Sequence, residues 1–417
     1  MKVRVERDLL VESVAWVGKS LPSRPSVPIL AGLLMEASEG ELTLSGFDYE
    51  TSHRVTLPAQ VADPGRCLVS GRLVADIVKS LPHQAIDVSV DGAKVLLVCG
   101  TARFTLQTLP VDEYPELPVQ PADSGVLRSE VFAQAVAQVA GSASRDDTMP
   151  VFTGVRMEIE GSTITLLATD RYRLAVRELQ WEPNQPPAPA TDPEGTAAPT
   201  TDQPSPATPT TDQPSAAAPT TPLATILIPA RVLSDTAKAM TGSTLTLSLD
   251  QEAAGGDGLA GFAGEVSGGS RWTTTRLLDG SFPRVRNLIP DPAAVQTRVR
   301  ISTATLVEAV KRVALVAERN APIRITFSDE GATLDAGNGE EAQASESIEA
   351  RLIGEPVTVG FNPTYLLDGL HAIGTPVAQL AFTQPTKPAE LTGATDLEED
   401  PLTNFRYILM PVRLHNS

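Results

Sequence analysis

Aromatic side chains are scarce in this chain, at 4% of 417 residues, and there are only two cysteines and four histidines. With so few rings, packing must rest on Val, Leu, Ile and Ala. Cys67 and Cys99 are too few for a disulfide framework or a thiolate metal site. His53, His83, His371 and His415 fall in no HxH or HxxxH spacing, which argues against zinc. No window approaches the roughly 18 apolar residues of a membrane span. Arg4, Glu6, Arg7 and Asp8 interrupt any apolar run near the start, so no secretory signal is expected. Phosphate-binding loops of the GxxxxGK[ST] type and dinucleotide fingerprints are both missing. Ser70-Gly71 and Ser267-Gly268 lack the GxSxG frame of a serine hydrolase. The expectation is a soluble cytoplasmic protein with no cofactor, no metal and no membrane partner.

What is present is an ordinary globular mixture, 41% hydrophobic and 20% charged, long enough for several domains. The net charge of −18 opposes nucleic-acid binding. A DNA-binding role requires the cations to be gathered on one surface.

Residues 182–224 are rich in Pro, Thr, Ala and Ser, and repeat with a period of ten: Pro199-Thr200-Thr201-Asp202-Gln203-Pro204-Ser205 returns as Pro209 to Ser215. So little apolar surface cannot offset the entropy of ordering, and the segment is expected to be extended and mobile. Outside it the chain repeats three times. Leu10, Val14, Val17 and Leu21 mark a helix, as do Phe132, Val136 and Val139, and then Leu306, Val310 and Val313, all at spacings of three or four. Each stripe is followed by an arginine and a proline: Arg24 and Pro28, Arg145 and Pro150, Arg319 and Pro322. The arginines are 121 and 174 residues apart, and removing the low-complexity stretch makes the intervals similar. That stretch is therefore an insertion within the second repeat.

Alternating strands follow, with turns at Asp48-Tyr49-Glu50, Asp170-Arg171-Tyr172 and Gly337-Asn338-Gly339. A second helix completes each repeat, carrying Val74, Ile77, Val78 and Leu81, then Val232, Leu233 and Met240, then Tyr365, Leu366, Leu370 and Ile373. Asp112-Glu113-Tyr114-Pro115 is echoed by Asp279-Gly280-Ser281-Phe282-Pro283. The fold class is α+β: three similar domains, each with two helices and antiparallel sheets, with expected bounds 1–121, 125–292 and 297–417.

No catalytic cluster emerges. Gly255-Gly256-Asp257-Gly258 reads as a hairpin loop, and Glu340-Glu341 and Glu398-Glu399 as solvated turns. A carboxylate hydrolase using Asp170 with Glu178 is the alternative from another class. The cations are more informative: Lys19, Arg72, Lys79, Arg231, Lys238, Lys311 and Arg312 on helices, and Arg24, Arg145 and Arg319 in turns, recur at corresponding places. Helices set around one centre would collect them on an inner wall and leave the carboxylates outside.

Four stretches resemble the bacterial DNA polymerase III beta subunit, or sliding clamp, family, in an actinobacterial-like form: Arg24-Pro25-Ser26-Val27-Pro28-Ile29-Leu30, Ala168-Thr169-Asp170-Arg171-Tyr172-Arg173-Leu174, Phe361-Asn362-Pro363-Thr364-Tyr365-Leu366-Leu367, and Tyr407-Ile408-Leu409-Met410-Pro411-Val412-Arg413-Leu414. The resemblance implies a DNA clamp fold, a head-to-tail homodimer closing into a ring, and a non-catalytic processivity factor that encircles duplex DNA without reading its sequence. It places Arg24 and Arg145, with Arg72 and Lys79, near duplex phosphates. It also implies a pocket for short apolar peptides of the polymerase III alpha subunit, the clamp loader, and other polymerases and repair proteins. Carried over position by position, its wall is Phe152, Thr169, Arg171, Tyr172, Arg173, Leu174, Pro283, Leu288, Pro388, Ile408, Met410, Pro411, Val412, Arg413 and Leu414, with Arg173 and Arg413 holding the peptide's polar groups. Read without the family, Ile408, Met410 and Leu414 are simply alternating residues of a final strand. Three features depart from the family pattern: Phe152 where many clamps have a smaller aliphatic, the tail His415-Asn416-Ser417, and the Pro/Thr insertion. They motivate a related alternative, a supplementary clamp copy whose altered pocket resists a clamp-targeting antibiotic.

Overall fold

The apolar stripes condense into six α-helices among the described residues, which in this computed structural model are 1–184, 224–250, 258–318, 321–337 and 342–414. They are α1 (Arg7–Val17), α2 (Gly71–Ser80), α3 (Ser129–Ala140), α4 (Ala230–Ala239), α5 (Thr303–Val313) and α6 (Pro363–Ile373). The ends of α6 show how sequence sets the limits. Asn362 Oδ1 accepts from the backbone N–H groups of Thr364 and Tyr365, Pro363 occupies the first turn, and Gly374 closes the helix at φ 64°. The expected stripes are buried in α1, α3 and α5. Leu21, Leu81 and Met240, expected on helices, lie just past them, where the chain already turns toward the next strand.

Among the described residues the strands form a five-stranded sheet, two nine-stranded sheets and a four-stranded sheet. Each repeat contributes the same pattern: one sheet portion is built mainly from the strand before its first helix and the strands after its second, and the other from strands between its two helices. Both nine-stranded sheets arise by the same junction. The strand Thr51–Pro58 of the first repeat pairs with Gly269–Arg276, the last strand of the second. Arg173–Gln180 of the second repeat pairs likewise with Phe405–Leu409, the last strand of the third.

The predicted turns follow one design. Asp48 Oδ1 accepts from the N–H groups of Glu50 and Thr51, and Asp170 Oδ1 from those of Tyr172 and Arg173. Tyr49 and Arg171 are thereby held left-handed, at φ 76° and 80°, and Gly337 has φ 93° in the third repeat. Asn338, Gly339, Arg319, Glu340, Glu341, residues 255–257 and residues 415–417 lie outside the described residues. The strands Thr244–Leu249 and Leu259–Val266 do pair antiparallel on either side of the glycine-rich run. The insertion is shorter than expected. Glu182–Pro183 pairs with Gly125 and Val126, and Ala224 opens the strand Ala224–Pro229 beside Gly154–Glu160, so its first and last residues belong to sheets; residues 185–223 lie outside the described residues.

A candidate peptide pocket and a basic helix face

Alternation along Arg173–Gln180 decides which side chains reach which face. Leu174 and Val176 point away from the helices and join Leu167, Leu227, Phe282, Val285 and Ile408 in a separate apolar cluster. Ile408 is opposite Leu174 in the strand pair, so the seam between the second and third repeats runs through the cluster. Val151, Leu278, Leu288 and Ile289 pack around it half-buried. Of the residues assigned from sequence, Leu174, Leu288 and Ile408 meet here, with Pro283 next to Phe282. Phe282, Val285, Leu278 and Ile289 were not assigned, because their segment has neither a helical nor a strand period. Its signal was the apolar spacing after Asp279-Gly280. Gly280 is at φ 123°, and a Cβ there would lie 2.4 Å from Val151, so the strap can approach the sheet only with glycine at this turn.

The rim is aromatic and cationic. The Arg171 guanidinium lies 5.8 Å from the ring centre of half-buried Phe152, and exposed Tyr172 stacks on Tyr365 at 6.0 Å. The final segment leaves its strand beside these residues: the Met410 N–H donates to the Tyr172 carbonyl at 3.0 Å, and that of Val412 to Gly360 at 2.8 Å. Leu414 presses on Gly360 so closely that a Cβ there would come within 2.7 Å of it. Met410 and Pro411 are half-buried, while Val412 and Arg413 are exposed. Pro388 precedes Ala389, which pairs opposite Leu409, and stands outside the apolar cluster.

Two assignments change. Arg173 points to the helix side, not into the pocket. Its guanidinium donates to Asp170 at 2.9 Å, Asp368 at 2.5 Å, the Gly141 carbonyl at 2.8 Å and the Tyr407 hydroxyl at 3.3 Å, and stands over the Tyr365 ring. Burial alone would lower its pKa, but Tyr407, Asp368 and Asp170 more than reverse this. It fastens the seam and is not free to hold a peptide. Thr169 is buried too, its hydroxyl donating to the Arg173 carbonyl at 2.6 Å and accepting from the Arg171 N–H, so it braces the turn. The hydrolase pair does not assemble. Asp170 is taken up by the turn and Arg173, and Glu178, opposite Thr165 in the hairpin, lies five residues beyond the turn along the strand, roughly 17 Å away.

Arg24, Arg72, Lys79 and Arg145 are exposed, and their charged ends form no hydrogen bond or ion pair among the described residues. Lys19, Lys311 and Arg312 differ, pairing with Asp235, Glu308 and Glu346. Arg24 shares a cleft of about 400 Å³ with Lys19, His53 and Arg231 at the junction of the first two repeats. Arg145 lines one of about 460 Å³ with Gln138, Asp368 and His371 at the next junction. Two of the four free cations, Arg24 and Arg145, thus stand where repeats meet. Among the described residues no helix is long and apolar enough to cross a membrane.

A chain of threefold-repeated modules, joined sheet to sheet with the helices on one side, has the fold of a DNA clamp. It superposes on a Bacillus subtilis DNA polymerase sliding clamp with TM-score 0.81 at 23% identity, covering 100% of both chains. A Pseudomonas aeruginosa clamp solved bound to griselimycin matches with TM-score 0.80 at 24% identity, over 99% of this chain and 100% of that one. The sequence makes the assignment specific. Models of the N-terminal, central and C-terminal domains of the DNA polymerase III beta subunit match residues 1–118, 126–196 and 286–413. The Streptomyces coelicolor beta sliding clamp is 48% identical over 99% of this chain and 100% of its own length. A Streptomyces muensis beta sliding clamp homolog, GriR, is 40% identical over 100% of both. The chain belongs to the DNA polymerase III beta subunit family and is a sliding clamp, a non-catalytic processivity factor.

Proposed function

We propose that two copies close head to tail into a ring around duplex DNA and hold polymerases there through the apolar seam. The observation that carries this is a pair of unused edges. Within the chain, the third strand after the first helix of one repeat twice pairs with the last strand of the next. Two strands in those positions remain at sheet edges: Ala344–Ile348 in the four-stranded sheet and Ala102–Gln107 in the five-stranded sheet. Pairing them between copies repeats the same junction and makes further nine-stranded sheets, so the two unused edges are covered and the chain of junctions closes.

The helices agree. At the inner junctions, Lys19 after α1 meets Asp235 of α4, and Gln138 of α3 donates to the Ala372 carbonyl of α6. By the same rule α5 would meet α2 of a second copy. Leu315 after α5 is 84% exposed and Leu73 on α2 is 48% exposed, apolar surface suited to burial there.

In this reading the three domains are 1–121, 125–292 and 297–417, and the protein works in the cytoplasm. Arg24, Arg72, Lys79 and Arg145 face the duplex with salt-sensitive contacts that let it slide. The pocket takes apolar peptides from the polymerase III alpha subunit, the clamp loader, and other polymerases and repair proteins. The test is retention after loading on circular against linear DNA. A ring stays on the circle and runs off free ends; equal retention would refute encirclement.

Phe152 under Arg171 supports a second reading, a supplementary clamp with an altered pocket rim. Griselimycin affinity measured beside the Pseudomonas aeruginosa clamp tests it, and equal affinities would remove it.

A further inference from the structure

Four arginines are buried among the described residues, and three of them face carboxylates. Arg173 meets Asp170 and Asp368, Arg271 meets Glu12, and Arg300 meets Asp400 at 3.5 Å. Arg177 is the exception. It is 8% exposed, its Nε is sealed from solvent without a partner, and its guanidinium forms no ion pair among the described residues. Burial pushes its pKa down, with no neighbouring charge offsetting the effect. An unpaired charge in such a place is costly, and an anion that completes it resolves the imbalance.

The position leaves room for one. Arg177 lies on the helix side of its strand and lines a cavity of about 470 Å³ between α3 and the seam with the third repeat. Arg128, exposed at the N-terminal cap of α3, borders the same cavity, and Gln134, Thr244 and Asn404 add polar groups. Glu178 and Glu182 also border it, but neither pairs with Arg177.

We propose that this cavity binds a phosphate-bearing ligand, with Arg177 at its floor and Arg128 at its mouth holding the phosphoryl oxygens. Guanidinium forks match phosphate geometry and make charge-assisted hydrogen bonds to it. The volume suits a small phosphorylated molecule. A free phosphate compound and a phosphate of the DNA backbone offer the same oxygens.

Calorimetric titration of the full chain in chloride buffer at fixed ionic strength tests this, using inorganic phosphate, ATP and a short duplex on the wild type, Arg177→Gln and Arg128→Gln. At least one probe is expected to bind the wild type and to bind each variant about tenfold or more weakly. Binding of phosphate or ATP marks a free ligand, and binding of the duplex alone marks the DNA backbone. Arg177→Gln should also keep or raise Tm in chloride, because it removes an uncompensated buried charge. The proposal is overturned if no probe binds the wild type, or if the variants bind as tightly as it does. Should Arg177→Gln not fold, the exposed-site Arg128→Gln decides by the same affinities.

Discussion

Leu174 and Ile408 face each other across the strand pair that joins the second repeat to the third, and both are fully buried in one apolar cluster. The joint between repeats is therefore also the floor of the candidate pocket. Floor and rim should separate by mutation. Ile408→Ala leaves a cavity in the joint and should cost about 2–5 kcal/mol, lowering both the thermal midpoint and peptide affinity. Met410→Ala, or deletion of residues 410–417, acts at the rim. It should weaken a fluorescent clamp-binding peptide while light scattering still gives the dimer mass. An unchanged peptide affinity would take the tail out of the pocket.

Arg173 predicts a contrast between its partners. Arg173→Met leaves the largely buried Asp170 carboxylate without its ion pair, while the Tyr407 hydroxyl keeps its bond to the Tyr365 carbonyl, and should cost about 3 kcal/mol in urea unfolding. The Asp368 side chain is 48% exposed, so Asp368→Asn should cost less than about 1 kcal/mol. Similar losses in both variants would show that Arg173 does not anchor the seam.

Much of this was legible in the sequence because it is local. Stripes at spacings of three and four located the first helix of each repeat and apolar clusters the second, and the Asp48 and Asp170 turns recur because one side-chain oxygen suffices to fold each. The inward aim of Arg173 was within reach too, since Leu174 beside it was already assigned to the apolar face. The strap from Leu278 to Ile289 was not, because irregular backbone carries no period. Nor did any local pattern say which sheet edges pair: Arg177 and Phe405 meet across more than 200 residues of chain.

The basic face predicts salt dependence. Arg24 has no partner to lose, so Arg24→Ala should leave Tm unchanged while weakening DNA association more at low salt than at high salt. The slope of log K against log salt should fall by about one for the lost phosphate contact. Lys311→Ala, whose charge is already paired with Glu308, should change the slope less. An Arg24→Ala slope equal to the wild type's would make Arg24 a bystander.

Leu315 tests the ring. At 84% exposure it contributes little to a single copy, so Leu315→Asp should shift the stability of one copy by no more than about 0.5 kcal/mol. Between copies the same change would bury a carboxylate against α2 of the neighbour. Light scattering at micromolar concentration should then give the monomer mass, with circular dichroism unchanged. A persistent dimer would place the contact elsewhere.

His53 predicts an acid weakness where the first two repeats join. Its ring stacks on Trp16 at 4.1 Å, on a strand that pairs with the second repeat, and burial pulls its pKa down to about 4. Asp235 favours the charged form and Lys19 opposes it, but burial dominates. An unfolded histidine takes its proton near pH 6.5. Between that value and about 4, the unfolded chain binds the proton and the folded chain does not. Stability from this group is therefore complete above pH 6.5 and falls as the pH drops through the window, by roughly 3 kcal/mol in all. His53→Phe keeps the stacked ring and removes the titration. Urea unfolding from pH 7 to 5, above the range of ordinary carboxylates, should show a steeper loss for the wild type than for the variant. Parallel curves would mean that the proton is accommodated in the folded joint.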